Sequence, residues 1–270
     1  MCVMRPFSVT GEERAAVATL DELMALEPND PKVLTLDIET SPNVVYAWGL
    51  YDQNIGITQV IEPSRVLCVA AKWLDEPDVM FFSEFHDGRK HMLAEMWRLV
   101  DEADIVVGYN HATFDMPHLN REWVSADYGP PSPYQNIDLY RVTRRNFKFA
   151  SNKLGYVTDR LGLDTKLETG GQALWNRVLA NDPEAWALFA DYNRTDVRIT
   201  EALFMRLRAW IKLPHLGLWS GELSNCYSCD SPDLIPAGTV YAKANAWPKL
   251  VCEDCGAWNK MLKNGQTRAA

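Results

Sequence analysis

Two acidic residues stand two positions apart at the end of an apolar stretch, Asp37 and Glu39 in KVLTLDIE (residues 32–39). Alternate side chains of a strand point to one face of its sheet, so both carboxylates would share a face. Two ionised carboxylates at the end of a buried strand are costly unless a cation lies between them. The pair therefore indicates a divalent metal site, although acids at a strand end can also simply reach water.

Two further acidic motifs follow in the chain. YNHATFD (residues 109–115) lies where an apolar strand leads into a helix, and its Asp115 could equally cap that helix. Tyr192 and Asp196 are four residues apart on a predicted helix and so share a face. Each motif alone is common in unrelated proteins. Together they supply oxygen ligands of the kind that Mg²⁺ or Mn²⁺ prefers.

The order of the three motifs, DIE, NxxxFD and YxxxD, resembles exonuclease motifs I, II and III of the DEDD superfamily. The third motif matches the tyrosine subgroup, because the position where the histidine subgroup has His is Asp191. DIET and YNHATFDMPHL resemble the proofreading domain of family B DNA polymerases and its stand-alone relatives. The resemblance covers roughly Val33 to Arg206. It implies an α/β fold of the ribonuclease H type, a mixed sheet flanked by helices.

The resemblance also implies the reaction and a role for each motif residue. The reaction would be 3′ to 5′ hydrolysis of DNA at single-stranded or frayed ends, with two Mg²⁺ or Mn²⁺ ions about 4 Å apart. Asp37 would bridge both ions, and Glu39 and Asp196 would complete the site of the water-activating ion. Asp115 would hold the second ion. Tyr192 would orient the attacking water, because a phenol that ordinarily titrates near pH ~10 is a better hydrogen-bonding partner than a base.

Further residues would contact the substrate by the same resemblance. Thr40 follows DIE and could offer its backbone to the terminal nucleotide. Asn110 could position the scissile end, while Phe114 could pack beneath the metal site or belong to the core. NKLGYVTDRLGL resembles the helix that precedes the third motif, and its Lys153 could approach a phosphate or be a solvated lysine.

A basic segment runs from Arg141 to Lys153, with five Lys or Arg and no acidic residue. The substrate-binding candidates in it are Arg144, Arg145, Lys148 and Lys153. The net charge of −9 is unusual for a nucleic-acid binder, because affinity for phosphates comes largely from Lys and Arg. The segment could follow a phosphate backbone or be an ordinary solvated helix face.

Four cysteines form a second candidate site. Cys226 and Cys229 are one CxxC pair, and Cys252 and Cys255 form another after 22 intervening residues. Two such knuckles supply four thiolates for one tetrahedral Zn²⁺, which predicts a zinc ribbon. Disulfides are the alternative, but they need an oxidising compartment, and MCVMRPFSVTGEERAAV lacks the apolar core of a signal peptide.

The role of the ribbon stays open at this stage. Its aromatic residues could stack on exposed bases or form its own small core. These residues are Tyr227, Tyr241, Trp247 and Trp258. Contact with nucleic acid and docking to a replication or repair protein are equally compatible with the sequence, and a purely structural lid is a third reading.

The hydrophobic pattern predicts the elements that hold these residues. KVLTLDIE, VVYAWGL, RVLCVAAKWL and VMFFSE are consecutive strand candidates, which indicates an antiparallel meander. A helix from Lys90 to Ala103, a strand DIVVGYN, a helix MPHLNREWV and a strand from Gln135 to Leu139 follow. Among the later helices, the last begins at an Asp182 cap with Pro183 in its first position. Thr10 to Leu26 is predicted to be a separate helix.

These patterns divide the 270 residues into three parts. Residues 1–31 are an N-terminal helical extension, residues 32–213 the ribonuclease H-like domain, and residues 214–270 the zinc ribbon. The start of the chain lacks signal-peptide features, and no apolar run reaches the roughly 18 residues of a membrane helix. We therefore expect a cytoplasmic protein that does not contact membranes.

Three functional hypotheses follow. The first is a 3′ to 5′ exonuclease acting on DNA in replication or repair. The second is a 3′ exoribonuclease, because the same site cleaves RNA if its sugar pocket admits a 2′-hydroxyl. The third is a non-catalytic adaptor with a relic nuclease fold. A relic need not keep four carboxylates and a tyrosine that depend on one another, which argues against the third.

Overall fold

The computed structural model describes residues 30–74, 76–164, 170–242 and 245–270. The predicted helix from Thr10 to Leu26 and nearly all of the N-terminal extension lie outside the described residues. The chain divides into two compact units. The first contains residues 33–141 and 149–202, and the second contains residues 142–148 and 203–270 together with 30–32. The boundary near Pro214 stays a prediction.

A five-stranded mixed sheet forms the centre of the first unit, in the order β5-β4-β1-β6-β7. The strands are β1 (Val33–Thr40), β4 (Val66–Trp73), β5 (Met80–Ser83), β6 (Ile105–Gly108) and β7 (Gln135–Asp138). β1, β4 and β5 pair antiparallel, whereas β6 is parallel to β1 and to β7. The predicted mixed α/β sheet and its antiparallel start are confirmed.

The predicted strand VVYAWGL is wrong beyond its first two residues. β2 (Val44–Val45) pairs only with β3 (Val60–Glu62), in a separate two-stranded sheet. Trp48 and Leu50 are 96% and 92% exposed, so the apolar alternation here faces no core. Tyr46 is the last residue held to this pair: its N–H donates to the Gln59 carbonyl at 2.9 Å, and the Gln59 side chain donates to the Tyr46 carbonyl at 2.8 Å.

The described residues form seven α-helices, of which the first two and the pair Gln172–Leu179 and Pro183–Leu207 pack on opposite faces of the central sheet. In chain order they are α1 (Arg89–Glu102), α2 (Asp115–Ser125), α3 (Leu139–Asn146), α4 (Leu154–Arg160), α5 (Gln172–Leu179), α6 (Pro183–Leu207) and α7 (Gly217–Ser220). Asp182 caps α6 as predicted, because its Oδ1 accepts the N–H groups of Glu184 and Ala185 at 3.0 and 3.3 Å. No helix among the described residues is long and apolar enough to cross a membrane.

The alternation of β1 separates core residues from site residues. Leu34, Leu36 and Ile38 enter a core formed with α1 and α2, which contains the fully buried Trp123. Burying one such aliphatic or aromatic side chain contributes about 1.5–3 kcal/mol. The intervening residues point to the other face, where α5 and α6 form a second core around Trp186. The carboxylates of β1 are therefore held on the α6 side by a strand buried along most of its length.

The second unit contains an antiparallel four-stranded sheet in the order β11-β10-β9-β8. Its strands are β8 (Leu234–Ala242), β9 (Asn245–Cys252), β10 (Trp258–Met261) and β11 (Thr267–Ala269). A small core of Cys226, Tyr227, Cys252 and Ala257 lies beside it. The end of α6 belongs to this unit, and in the turn that follows the helix the Arg208 guanidinium donates to the Ser228 carbonyl at 2.8 Å.

Candidate active site and cysteine centre

Three of the predicted carboxylates meet where β1 ends beside α6. One oxygen each of Asp37, Glu39 and Asp196 lies within 4.8 Å of the other two. Six-coordinate Mg²⁺ with oxygens at roughly 2.0–2.1 Å separates its ligand atoms by about 3–4 Å, so the cluster fits one divalent ion. Asp196 is buried and the two β1 residues are half-buried, so a cation would relieve their mutual repulsion.

Asp115 lies beside this cluster without belonging to it. It is the first residue of α2 and does not cap the helix. Its Oδ1 instead accepts the backbone N–H of Ile38 at 3.0 Å, and Ile38 stands between the two β1 carboxylates. Burial raises the pKa of Asp115 to about 7. A cation bound nearby would favour its ionised form.

Asn193 is a site residue that the sequence analysis missed. Its side-chain amide donates to Asp37 Oδ2 at 2.7 Å and to the Asp37 carbonyl at 3.3 Å. Asn193 is fully buried, and Cys68 Sγ lies 3.7 Å from its Oδ1. The amide therefore fixes the orientation of the Asp37 carboxylate. Its position between Tyr192 and Asp196 in the third motif was the available signal.

Trp175 on α5 connects two predicted site residues and was also missed. Its indole Nε1 donates to the Thr40 carbonyl at 3.0 Å. Its ring contacts the Tyr192 ring edge-on, with centroids 6.3 Å apart. Phe189 packs against the same indole at 5.0 Å. Thr40 and Tyr192 are thus positioned against one rigid side chain.

The second motif forms a tight turn between β6 and α2. Asn110 has a positive φ of 65°, and its N–H donates to Asp138 Oδ1 at 2.9 Å. Burial lowers the pKa of His111 to about 4, so this imidazole adds no charge near pH 7. Gly108 is required, because a Cβ there would lie 2.7 Å from the His111 ring. Phe114 is 41% exposed and is therefore not plain core.

A cavity of about 620 Å³ opens beside Asn110. Tyr109, Tyr140, Asn152 and Lys153 are among its lining residues. The Tyr109 hydroxyl donates to the Asn152 carbonyl at 2.5 Å, which ties the second motif to the start of α4. Two predicted substrate residues, Asn110 and Lys153, therefore share one cavity.

The remaining basic candidates belong to the other compact unit. Arg144 and Arg145 are exposed in the last turn of α3, and Lys148 is exposed just after that helix. Lys153, which is also exposed, lies in the first unit with the carboxylates. The five basic side chains of the predicted segment are thus all solvent-accessible, whereas Val142 and Thr143 between them are buried.

The four predicted cysteines come together as a separate centre. Their sulfur atoms all lie within 4.8 Å of one another, with Cys226 to Cys255 at 3.7 Å and Cys229 to Cys252 at 3.6 Å. A tetrahedral Zn²⁺ with Zn–S bonds of about 2.3 Å needs sulfurs roughly 3.8 Å apart. A disulfide bond would need about 2.0 Å. The geometry fits a four-thiolate metal site.

Asn259 supports the cysteine centre from β10. Its amide donates to Cys226 Sγ at 3.5 Å, and its Oδ1 accepts the Tyr227 N–H at 3.0 Å. Hydrogen bonds from Cys229 and Cys255 hold the pKa of Cys226 well below its ordinary value. Such outer contacts orient metal ligands. Tyr227 is buried in the small core, which excludes the stacking role considered for it.

The comparisons place the first unit in a known family. The family model described as RNase_H superfamily matches residues 34–208, and the chain belongs to this superfamily. The carboxylate and cysteine clusters fit a DEDD exonuclease with a zinc ribbon. Among solved structures, the family B DNA polymerase from the hyperthermophilic archaeon Pyrobaculum calidifontis has a similar fold, with a TM-score of 0.52 and 20% identity over 76% of this chain. The match spans 27% of the polymerase chain. The comparison with curated proteins gave no match.

Proposed function

We propose that this protein is a metal-dependent 3′ to 5′ exonuclease that hydrolyses DNA at single-stranded or frayed ends, in replication or repair. The carboxylate cluster of Asp37, Glu39 and Asp196 carries this proposal, because it assembles a divalent-cation donor set from two elements far apart in sequence. Asp115, which accepts the Ile38 N–H between the two β1 carboxylates, would supply the fourth carboxylate. The fold similarity to a family B DNA polymerase supports DNA as the substrate.

The protein groups have distinct parts in the proposed reaction. When bound, two Mg²⁺ or Mn²⁺ ions would make the attacking water more acidic and stabilise the leaving 3′ oxygen. Asp37, Glu39 and Asp196 would hold one ion, and Asp37 with Asp115 would hold the other. The Tyr192 hydroxyl would orient the water by a hydrogen bond. Asn193 would keep the Asp37 carboxylate in position.

The substrate end would enter beside the second motif. The cavity lined by Asn110 and Lys153 is large enough for part of a nucleotide, and Lys153 would contact a phosphate there. The Thr40 backbone and the exposed Phe114 ring would contact the terminal nucleotide. Arg144, Arg145 and Lys148 would contact phosphates further along the strand. These assignments rest on exposure and on the resemblance of the motifs.

The direct test uses strands of DNA and RNA with the same sequence and a 5′ label. Purified full-length protein is incubated with each strand in Mg²⁺, in Mn²⁺ and in a chelator. We expect a ladder of shortened 5′-labelled DNA products that depends on the metal. Stronger cleavage of the RNA strand than of the DNA strand would support the exoribonuclease hypothesis instead. Absence of cleavage on both strands in both metals would favour the adaptor hypothesis and contradict the proposal.

Replacing Tyr192 with Phe should lower the turnover number about a hundredfold, the usual cost of one catalytic hydrogen bond. The substrate KM should change little, because the hydroxyl orients water and holds no metal. The ring and its contact with Trp175 remain, so folding should be unaffected. Steady-state kinetics on a labelled strand measures both constants. A change confined to KM would assign Tyr192 to the binding surface.

Replacing Asn193 with Leu should weaken Mn²⁺ binding roughly tenfold, because Asp37 loses a hydrogen bond that orients it, a loss of about 1–1.5 kcal/mol. Cleavage should recover at high Mn²⁺. Calorimetric Mn²⁺ titration gives the affinity independently of activity. Cys68→Ala is the matched control, because it alters the packing of Asn193 but leaves its bond to Asp37. Equal Mn²⁺ affinity in all three proteins would mean that Asn193 has only a structural role.

A further inference from the structure

One face of the sheet in the second unit combines tryptophans with cations, and we call it the Trp/Lys face. Its residues are Trp247 and Lys249 on β9, Trp258 and Lys260 on β10, and Arg268 on β11. The alternate residues Leu250, Cys252, Asn259 and Thr267 are buried. Because side chains alternate across a strand, the Trp/Lys face is the outer side of this sheet.

The three cations form a row across neighbouring strands. Lys260 is directly opposite Arg268 on one side and Lys249 on the other. Neighbouring strands are only about 4.8 Å apart, and like charges directly opposite destabilise a sheet. The described residues of β8, β9, β10 and β11 contain no Asp or Glu. The three cations of the row therefore repel one another, and a bound anionic ligand would reduce this repulsion.

The two indole rings flank this row. Lys249 Nζ lies 4.8 Å from the Trp258 ring centroid, and Lys260 Nζ lies 5.3 Å from the Trp247 centroid. These cation–π contacts orient the rings in the free protein. Because such contacts are weak at exposed sites, a bound ligand can replace them. Trp258 is 48% exposed, unlike the tryptophans of the first-unit cores. Flat apolar rings thus stand on both sides of a positive stripe.

We propose that the Trp/Lys face binds single-stranded nucleic acid. Bases would stack on Trp247 and Trp258, while phosphates would contact the cation row. Single strands fit better than duplexes, because a duplex already buries the faces of its bases in stacks. An acidic protein segment would match the cations but would leave the rings without a role. The Trp/Lys face shares no residue with the carboxylate cluster, and binding to it does not depend on cleavage.

The test measures binding of the full-length chain carrying Asp37→Asn, so that the substrate survives. Fluorescence anisotropy reports its affinity for a labelled oligothymidylate of about 20 nucleotides, long enough to cover more than one binding site. Trp247→Ala and Trp258→Ala should each weaken binding about tenfold. Lys260→Glu should lower the slope of log affinity against log salt concentration by about one.

Matched controls come from the same unit. Tyr241 is 77% exposed and pairs with Ala246, so it lies on the opposite side of β8 from the Trp/Lys face. Lys263 is exposed between β10 and β11. Tyr241→Ala and Lys263→Glu should bind like the parent protein. The zinc content of every variant shows whether the ribbon remains folded.

Several outcomes would overturn the proposal. The first is an unchanged affinity for the oligonucleotide in Trp/Lys face variants that retain zinc. The second is an affinity for a duplex equal to that for the single strand. The third is competition by polyglutamate as strong as that by the oligonucleotide, which would indicate an acidic protein partner. The same face variants with Asp37 intact are also assayed for cleavage of a six-nucleotide strand. Cleavage without face-dependent binding would contradict this inference alone, and face-dependent binding without cleavage would contradict the nuclease alone.

Discussion

Replacing Asp37 by Asn should reduce metal-dependent cleavage about a thousandfold or more, which is the scale seen when a group that acts as part of a catalytic unit is removed. Asp37 is the one carboxylate proposed to contact both ions, so its charge cannot be supplied by a neighbour. The substitution keeps an oxygen that can accept the Asn193 amide. The free energy of unfolding without metal should therefore change little, and it could rise because one repelling carboxylate is gone. Cleavage rates and thermal unfolding of the purified protein measure both effects.

Asp191→Asn is the matched control for this prediction. Asp191 lies on the same helix as Asp196, its side chain is largely exposed, and it forms an ion pair with Arg194 at 3.8 Å. It should keep full activity. Asp196→Asn should resemble Asp37→Asn, because both belong to the three-carboxylate cluster. Nuclease rates near those of the wild type in the Asp37→Asn protein would contradict the two-metal assignment.

The central sheet was predictable because its strands are buried and their neighbours in sequence are mostly neighbours in space. β1 alternates apolar and polar residues, and that pattern alone places Asp37 and Glu39 on one face. The same reasoning failed at VVYAWGL, where an equally apolar pattern belongs to an exposed loop. Sequence periodicity reports which side chains share a face and not whether a core lies opposite them. Only the tertiary structure supplies that second fact.

The supporting residues of the site could not be predicted for a related reason. Asn193 reaches Asp37 across 156 positions, and Trp175 reaches Thr40 across 135. Asparagine and tryptophan carry no charge pattern that indicates such contacts. The carboxylates could be predicted because several acidic side chains at one place repel each other unless a cation binds between them. Amide and indole groups donate hydrogen bonds throughout any fold, so their part in this site is recognised only from the distances in the structure.

The Trp/Lys face shows how much depends on strand register. The ribbon tail carries six Lys or Arg and five Asp or Glu from Lys212 onward, a balance that gives no hint of a binding surface. Strand register brings Lys249, Lys260 and Arg268 into one row, and the described residues of the four strands include no Asp or Glu. A shift by one residue would send the lysines to the cysteine side. The binding surface is therefore recognised from the charge distribution of the folded sheet and not from the composition of its sequence.

Replacing both Cys252 and Cys255 by Ser should remove zinc from the protein and unfold the sheet of the second unit. Each mutated cysteine faces a cysteine of the other pair, so only two thiolates would remain to hold the ion. Structural zinc contributes about 10–16 kcal/mol of apparent binding free energy in small domains, more than a ribbon core of this size can replace. Zinc content should fall from about one to near zero per chain, and limited proteolysis should cut within residues 214–270. Cys68→Ala, a buried cysteine of the first unit, should keep its zinc.

Cleavage should nevertheless survive the loss of zinc, because all five proposed catalytic residues precede the ribbon. A chain ending at Leu213 should behave in the same way on short strands. Retention on long strands should fall in both altered proteins, since a linked second contact surface raises the effective concentration of substrate. The shortened chain should also unfold at a lower temperature, because the buried Arg208 loses the Ser228 carbonyl, at a cost of about 1–3 kcal/mol. If both proteins stay folded yet fail to cleave even a short strand in Mg²⁺ or Mn²⁺, the ribbon is part of the active site and the division near Pro214 is wrong.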